Sequence, residues 1–405
     1  MHIAGPKATG KTATASRIAA TVLQLDDERV RSRIETDPGY LSSRRLPVLL
    51  DEWQRLPELW DTVRRSVDAD RTPNRFILAG SAYPRGAAIH SGAGRILSLR
   101  MRPLSLAERG LVPPTVSLEA LLRGGSRIEG VSGLGLAEYI REILSSGFPA
   151  IRAGRPRGSR RELESYVENI IHREFAEQGY AVRAPHTLRR WLRAYAASTG
   201  TTASYASILE GATPGEGDRP AKTTAILYRE VLESLWLLDE VPAWAPLDTS
   251  TGRLGQAPKH FLADPALAAT LLDVDADDLL DGDVDEDPAL KVVAKGAGTL
   301  LGRLFEHLIA MSLQSYAQTA GARLSHLRTR NGDHEIDFII ERKRRIVAFE
   351  VKLSPVVRDD DLRHLKWLRD RVGDRLVEAV VITTGDEAYR RSDGIAVVPA
   401  ALLGV

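Results

Sequence analysis

"GPKATGKT", Gly5 to Thr12, matches G-x-x-x-x-G-K-[ST] at every fixed position. The apolar "HIA" precedes it and the helical "KTATASRIAATVL" follows, so the loop joins a strand to a helix. The glycines let backbone wrap a phosphate chain, and successive amides and a helix N-terminus meet its charge. The segment Gly5, Pro6, Lys7, Ala8, Thr9, Gly10, Lys11, Thr12 and Ala13 is therefore the expected ATP/ADP-binding loop. Lys11 would reach the β and γ oxygens, and Thr12 would ligate magnesium.

Working outward, "LPVLLDE", "RFILAGS" and "RILSLRM" alternate with the amphipathic "ELWDTVRRSV". Strands alternating with helices predict an α/β domain over residues 1–115 with a parallel sheet, closed by Pro113 and Pro114. "PVLLDEW" delivers Asp51 to the magnesium shell and Glu52 to polarise an attacking water. "FILAGSA" brings Ser81 to a third strand end, where it could sense the γ-phosphate or orient water. "SGAGRI" offers Arg95 as a phosphate-contacting finger, in cis or across a homo-oligomer interface.

Residues 116–180 read as a helical lid or connector, and 181–270 as three helices followed by a hairpin, the order of a winged-helix module. A helical connector without a ligand is the plain alternative. Residues 151–200 hold ten arginines against five glutamates. This stretch, with "RAGRPRGSRR" and Arg189, Arg190 and Arg193, is the best nucleic-acid-binding patch, because the net charge of +1 gives no global basic field. Nine acidic residues and no basic one lie in 273–288, so 271–295 reads as a solvated linker.

Residues 296–405 form a second α/β domain. A hairpin turn at "RKRR" would bring Asp337 of "HEID" beside Glu350 and Lys352 of "FEVKL", which share a strand face. Asp337 and Glu350 would hold magnesium or manganese, Glu306 would complete the shell, and Lys352 would position or deprotonate water. The bland reading is a cross-strand ion pair on an exposed face. His326, His334 and His364 lack the spacing of a zinc site, whereas His364 with Lys366 could contact phosphate.

With "LLDEWQ", "GSA", "HSGAGRI", "RMRPLSLAERG", "SGFP", "HEIDF" and "FEVKL" beside the loop, the chain resembles AAA+-class prokaryotic ATPases carrying a C-terminal domain of unknown function, itself similar to PD-(D/E)XK nucleases. The resemblance implies an ATPase core, a winged-helix-like middle and a restriction-endonuclease-like end. Two departures stand out. Ala79 replaces a usual hydroxyl residue, leaving the sensor role to Ser81, and the first strand begins at Met1 where members usually carry a preceding segment, as in a truncated chain or one whose start is assigned late.

The absence of cysteine excludes disulfides and thiolate chemistry, and fits a reduced cytoplasm. No run approaches the roughly 18 apolar residues of a membrane span. The leading function is an ATP-binding and ATP-hydrolysing protein whose nucleotide state gates a metal-dependent nuclease-like domain acting on nucleic acid. The rival is an ATP-driven signalling or interaction switch whose C-terminal fold does not cut. A small-molecule kinase is weaker, since no acceptor pocket is legible.

Overall fold

The computed structural model describes all residues except 38, 84–92, 154–158, 214–219, 245–256, 283–287, 295–296 and 330–331. Five parallel strands form the N-terminal sheet: β1 (His2–Ala4), β2 (Thr21–Gln24), β3 (Val48–Asp51), β4 (Phe76–Gly80) and β5 (Ser98–Arg100), in the order β2-β3-β4-β1-β5. β3 and β4 are buried along their whole length, as befits strands covered on both faces. Alternation divides their side chains: Val48, Leu50, Phe76 and Leu78 join Trp53 and Trp60 in one core, while Leu49, Ile77 and Ala79 join Ile3 and Ala15 in the other. Register sets Asp51 beside Ala79 and Ala79 beside Ile3, so β1, β3 and β4 present their C-terminal ends together.

The second sheet has seven strands in the order β7-β12-β13-β11-β10-β9-β8. They are β7 (Gly130–Val131), β8 (Arg323–Arg328), β9 (Glu335–Arg342), β10 (Arg345–Val351), β11 (Leu376–Thr383), β12 (Glu387–Arg390) and β13 (Ala396–Pro399). The pair β10–β11 and the pair β11–β13 are parallel, and the remaining pairs are antiparallel. Phe338, Ile340, Val347 and Phe349 face the helix Leu300–Thr319, whereas Ile339, Ile346 and Ala348 face the helix Arg363–Val372 through Leu365 and Leu368.

Two parts of the chain depart from the sequence reading. The stretch 116–180, expected to be helical, also contributes two short strands: β6 (Val116–Ser117) pairs with β14 (Leu403–Gly404), and β7 extends the C-terminal sheet at β12. The expected acidic linker also folds in part. Asp275 caps the helix Ala276–Asp281, whose first turn carries Asp277 and Asp278, so carboxylates sit where the helix dipole favours them. Val274 and Leu279 anchor this piece in the core, an apolar signal outweighed in the sequence by the surrounding charge.

The helices Pro185–Ala197, Tyr205–Gly211 and Lys222–Ser234 are followed by two extended arms rather than long strands. Bridges Leu238↔Leu262 and Val241↔Lys259 pair these arms antiparallel, giving a short ribbon where the hairpin was expected. The loop between them, 245–256, lies outside the described residues. No helix among the described residues is long and apolar enough to cross a membrane.

Candidate nucleotide site and C-terminal cleft

The loop after β1 has the backbone a phosphate cradle needs. Gly5, Ala8 and Gly10 have φ of 153°, 68° and 86°. A Cβ on Gly5 would lie 2.1 Å from the Met101 carbonyl oxygen, so only glycine fits there. The helix Lys11–Ser16 starts at Gly10 and points its N-terminus into the loop. Thr12 Oγ1 donates to both carboxylate oxygens of Asp51, at 3.0 and 2.9 Å. The two expected magnesium-side groups thus meet across β1 and β3, and these residues fit a nucleotide-bound magnesium ion.

Lys11 donates to the Pro6 carbonyl at 2.7 Å. Burial lowers its pKa to about 8, with Glu52 and Asp51 opposing the shift. Burial likewise raises the Asp51 pKa. Glu52 sits at a positive φ of 54°, aimed at the end of β4, where Ser81 Oγ lies 3.4 Å from its Oε2. Gln54 donates to the same Glu52 oxygen and approaches Ser81.

Arg95 does not join this group. It pairs with Asp68 at 2.8 Å and lines a cleft of about 770 Å³ with Met1, Pro47 and Phe76, at the N-terminal ends of the strands. The nucleotide loop leaves the opposite, C-terminal ends, so the in-cis finger expected from the sequence is corrected by strand direction.

Sequence reasoning missed the residues that close over the loop. Lys7 pairs with Glu174 at 2.5 Å and with Glu177 at 3.1 Å, and Arg55 pairs with Glu177 at 3.2 Å. Glu174 lies in Ile170–Glu174, a π-helical turn that continues the helix Ser159–Asn169. Tyr166 of that helix donates to the Lys7 carbonyl at 3.3 Å. The cue was the amphipathic "ELESYVENIIHREF", but which acid faces the loop depends on the π-turn.

In the second sheet, Lys343 and Arg344 take φ of 48° and 70°, the paired positive values of a two-residue hairpin turn. The register runs to Phe349↔Phe338, and its continuation sets Glu350 opposite Asp337. Asp337 Oδ2 accepts from the Val351 amide at 2.8 Å, and Lys352 Nζ donates to Glu350 Oε1 at 3.2 Å. Glu306, on the helix Leu300–Thr319, reaches the same cleft of about 660 Å³. The structure thus brings Glu306, Asp337, Glu350 and Lys352 together.

Lys259 stands among them. Its Nζ lies 2.9 Å from Glu306 Oε1, 2.9 Å from Asp337 Oδ1 and 3.4 Å from Glu335 Oε1. Its side chain is 1% exposed. Burial alone would lower its pKa, but Asp337, Glu306 and Glu335 together hold it well above the ordinary value. Burial pushes the Glu306 carboxyl up to about 8, against the pull of Lys259. Burial and then Asp337 raise Glu350, whereas burial of Asp337 is outweighed by Lys259, the Val351 amide and Lys352 together, which lower it.

Among the described residues, no group of three or more His, Asp or Glu side chains is disposed to hold a metal ion. The expected shell of Glu306, Asp337 and Glu350 does not fit a divalent ion as arranged, because the ammonium occupies Glu306 Oε1 and Asp337 Oδ1. Lys259 was legible only as one of nine lysines, set in the short apolar "PKHFLAD".

The expected basic patch is largely spent within the chain. Arg160 pairs with Asp273, Arg189 with Glu168, and Arg193 donates to the Leu272 carbonyl at 3.0 Å. Residues 154–158 of "RAGRPRGSRR" lie outside the described residues. His334 approaches His364 at 3.3 Å and stacks on Trp367, His326 Nε2 donates to the Ala257 carbonyl at 3.1 Å, and Lys366 pairs with Asp393 at 3.3 Å.

Residues 1–109 match a family described as an AAA domain, residues 136–278 a domain of unknown function (DUF8612), and residues 301–403 another (DUF4143). The chain is 25% identical to the uncharacterized protein Rv2008c of Mycobacterium tuberculosis over 98% of its own length and 79% of the relative's. The same figures hold for the uncharacterized protein Mb2031c of Mycobacterium bovis. No solved structure matches the chain. The N-terminal part is therefore a P-loop ATPase-like AAA domain, followed by two domains to which no function is assigned.

Proposed function

We propose that the chain binds ATP with magnesium at Gly5–Ala13, hydrolyses it with Glu52, and works as an ATP-driven switch on its own C-terminal cleft. One observation carries the reading: Lys7, inside the phosphate loop, is held by Glu174 and Glu177 of the middle helices. The phosphates of a nucleotide compete with these carboxylates for Lys7, so nucleotide state and helix position are linked. Magnesium would be held by Thr12 and Asp51 and would offset charge on the β and γ oxygens. Glu52, oriented by Gln54 and Ser81, takes the water's proton.

The link runs on toward the cleft. Arg100 and Arg102, at the end of β5, pair with buried Asp239 at 2.8 and 2.6 Å. Asp239 lies on the ribbon arm whose Val241 exchanges both backbone hydrogen bonds with Lys259. The edge of the ATPase sheet thus grips the ribbon that carries Lys259. This ribbon and its three helices support a winged-helix-like middle.

ATP binding by calorimetry, paired with hydrogen exchange over 163–177 and 257–264, tests the reading. ATP should loosen both segments, Glu52→Gln should bind but not turn over, and Lys11→Ala should bind about 1.5 to 3 kcal/mol more weakly. Equal ATP affinity in wild type and Lys11→Ala would place the nucleotide elsewhere.

A second reading, magnesium- or manganese-dependent cleavage of nucleic acid, is favoured by Lys352 beside Glu350, whose buried Oε2 lacks a hydrogen-bond partner. It requires Lys259 to leave the carboxylates. Cleavage of DNA and RNA, single- and double-stranded, with and without ATP, separates it from the switch. Assembly through Arg95 of a neighbouring copy, and action in the cytoplasm, belong to the same proposal.

A further inference from the structure

We infer that the C-terminal cleft is a cation site whose resident is the chain's own Lys259 ammonium, and that the nucleotide-free chain takes no divalent ion there. The inference stands apart from the ATP reading, since it rests only on the cleft and the ribbon.

The ammonium matches its surroundings in number as well as charge. It has three N–H donors, and three carboxylates face it, those of Glu306, Asp337 and Glu335 at 2.9, 2.9 and 3.4 Å. A lysine with 1% side-chain exposure is tolerated only when its charge is met in this way. The oxygens it occupies include those of Glu306 and Asp337 that a divalent ion would need. A dication and an ammonium within hydrogen-bond distance of the same atoms repel one another, so one excludes the other.

The lysine is also delivered by backbone rather than by a mobile loop. Lys259 and Val241 exchange N–H to carbonyl hydrogen bonds at 2.9 and 3.0 Å, and Asp239 N donates to the Phe261 carbonyl at 2.8 Å. Phe261, two residues on and on the same ribbon face, packs against His307 and Phe338 at ring distances of 5.2 and 6.3 Å. The other arm is tied to β8, where Trp244 N donates to the His326 carbonyl at 2.6 Å and His326 N donates to the Pro242 carbonyl at 3.0 Å. Withdrawing the ammonium therefore requires the ribbon to shift or Lys259 to abandon all three carboxylates.

A manganese titration of the nucleotide-free full chain, read by the electron paramagnetic resonance signal of free Mn2+, tests the assignment. Wild type and Glu350→Gln should give the same curve, because no Glu350-dependent site exists. Lys259→Met should gain one Mn2+ site that wild type lacks, and Glu350→Gln in that background should remove it. A wild-type site lost in Glu350→Gln overturns the inference, as does a folded Lys259→Met chain that gains none. Should Lys259→Met fail to fold, amine acylation of wild type read by mass spectrometry decides. Lys259 should stay unlabelled with and without millimolar Mn2+ while exposed Lys343 reacts, and labelling of Lys259 on adding Mn2+ overturns the assignment.

Discussion

Lys11 and Lys259 are both buried, 6% and 1% exposed, and carboxylates lie near each, yet burial lowers the pKa of one while the other is held well above normal. The difference is in what the ammonium touches. Lys11 bonds a carbonyl, that of Pro6, and its nearby acids are engaged elsewhere, Asp51 with Thr12 and Glu52 with Gln54. Lys259 bonds two carboxylates directly and has a third within reach. A buried cation without contacting counter-charge is poised for an anionic ligand, whereas one already neutralised serves as a fixed part of its site.

The contrast is broken most forcefully at Lys259. Removing it leaves buried carboxylates facing one another, so Lys259→Met should lose about 3 to 5 kcal/mol of folding stability, the range for removing one partner of a buried ion pair. Urea unfolding measures it. A loss under about 1 kcal/mol, as for an exposed pair, would mean that the ammonium is not the counter-charge of the cleft.

Lys11→Ala should reverse the pattern, with little cost to folding and a loss of about 1.5 to 3 kcal/mol in ATP binding, the value of a charge-assisted hydrogen bond. Calorimetry with ATP and magnesium gives the binding term, and thermal unfolding without nucleotide gives the other. If the nucleotide-free variant were strongly destabilised, Lys11 would resemble Lys259 and the distinction would collapse.

The pH dependence of ATP affinity sharpens the same point. Lys11 in the nucleotide-free chain titrates at about 8, below its ordinary 10.5, with burial as the main cause. Phosphate supplies the missing negative charge and raises the bound-state pKa, so binding takes up a proton once pH exceeds about 8. Affinity should be level just below that pH and fall above it, approaching tenfold per pH unit. The same shift adds stability to the nucleotide-free chain as pH rises from about 8 to 10.5, because only the unfolded state then holds the proton. An affinity that stays level from pH 8 to 10 would remove the case for an uncompensated ammonium.

These two lysines also mark how far the sequence could be read. Lys11 belongs to a contiguous motif in which eight residues fix both local geometry and chemistry, and a strand end then supplies Asp51. The hairpin carrying Asp337, Glu350 and Lys352 was legible for a similar reason: the turn lies between them and the period of two sets the face. Lys259 meets Glu306 and Asp337 across 47 and 78 residues, through a ribbon of isolated bridges too short to leave a strong alternation. Glu174 needed a π-turn to face Lys7, and β6 and β7 found strand partners more than two hundred residues away. Local chemistry was encoded locally, and the cross-domain contacts were not.

The smallest effect concerns Arg95, the arginine that shares neither environment. Its side chain is 43% exposed and its partner Asp68 34% exposed, so water screens the pair and the long side chain gives up rotamer freedom to form it. Arg95→Ala should leave stability close to that of wild type. Because the side chain lies at the strand ends opposite the phosphate loop, ATP turnover in dilute solution should also be unchanged. The informative measurement is turnover against protein concentration. If wild type accelerates as concentration rises and Arg95→Ala does not, the arginine reaches the nucleotide of a neighbouring copy and the nucleotide site is completed in trans. If both curves are flat, Arg95 is an ordinary surface pair, and Lys7 and Lys11 supply the cationic contacts to phosphate without it.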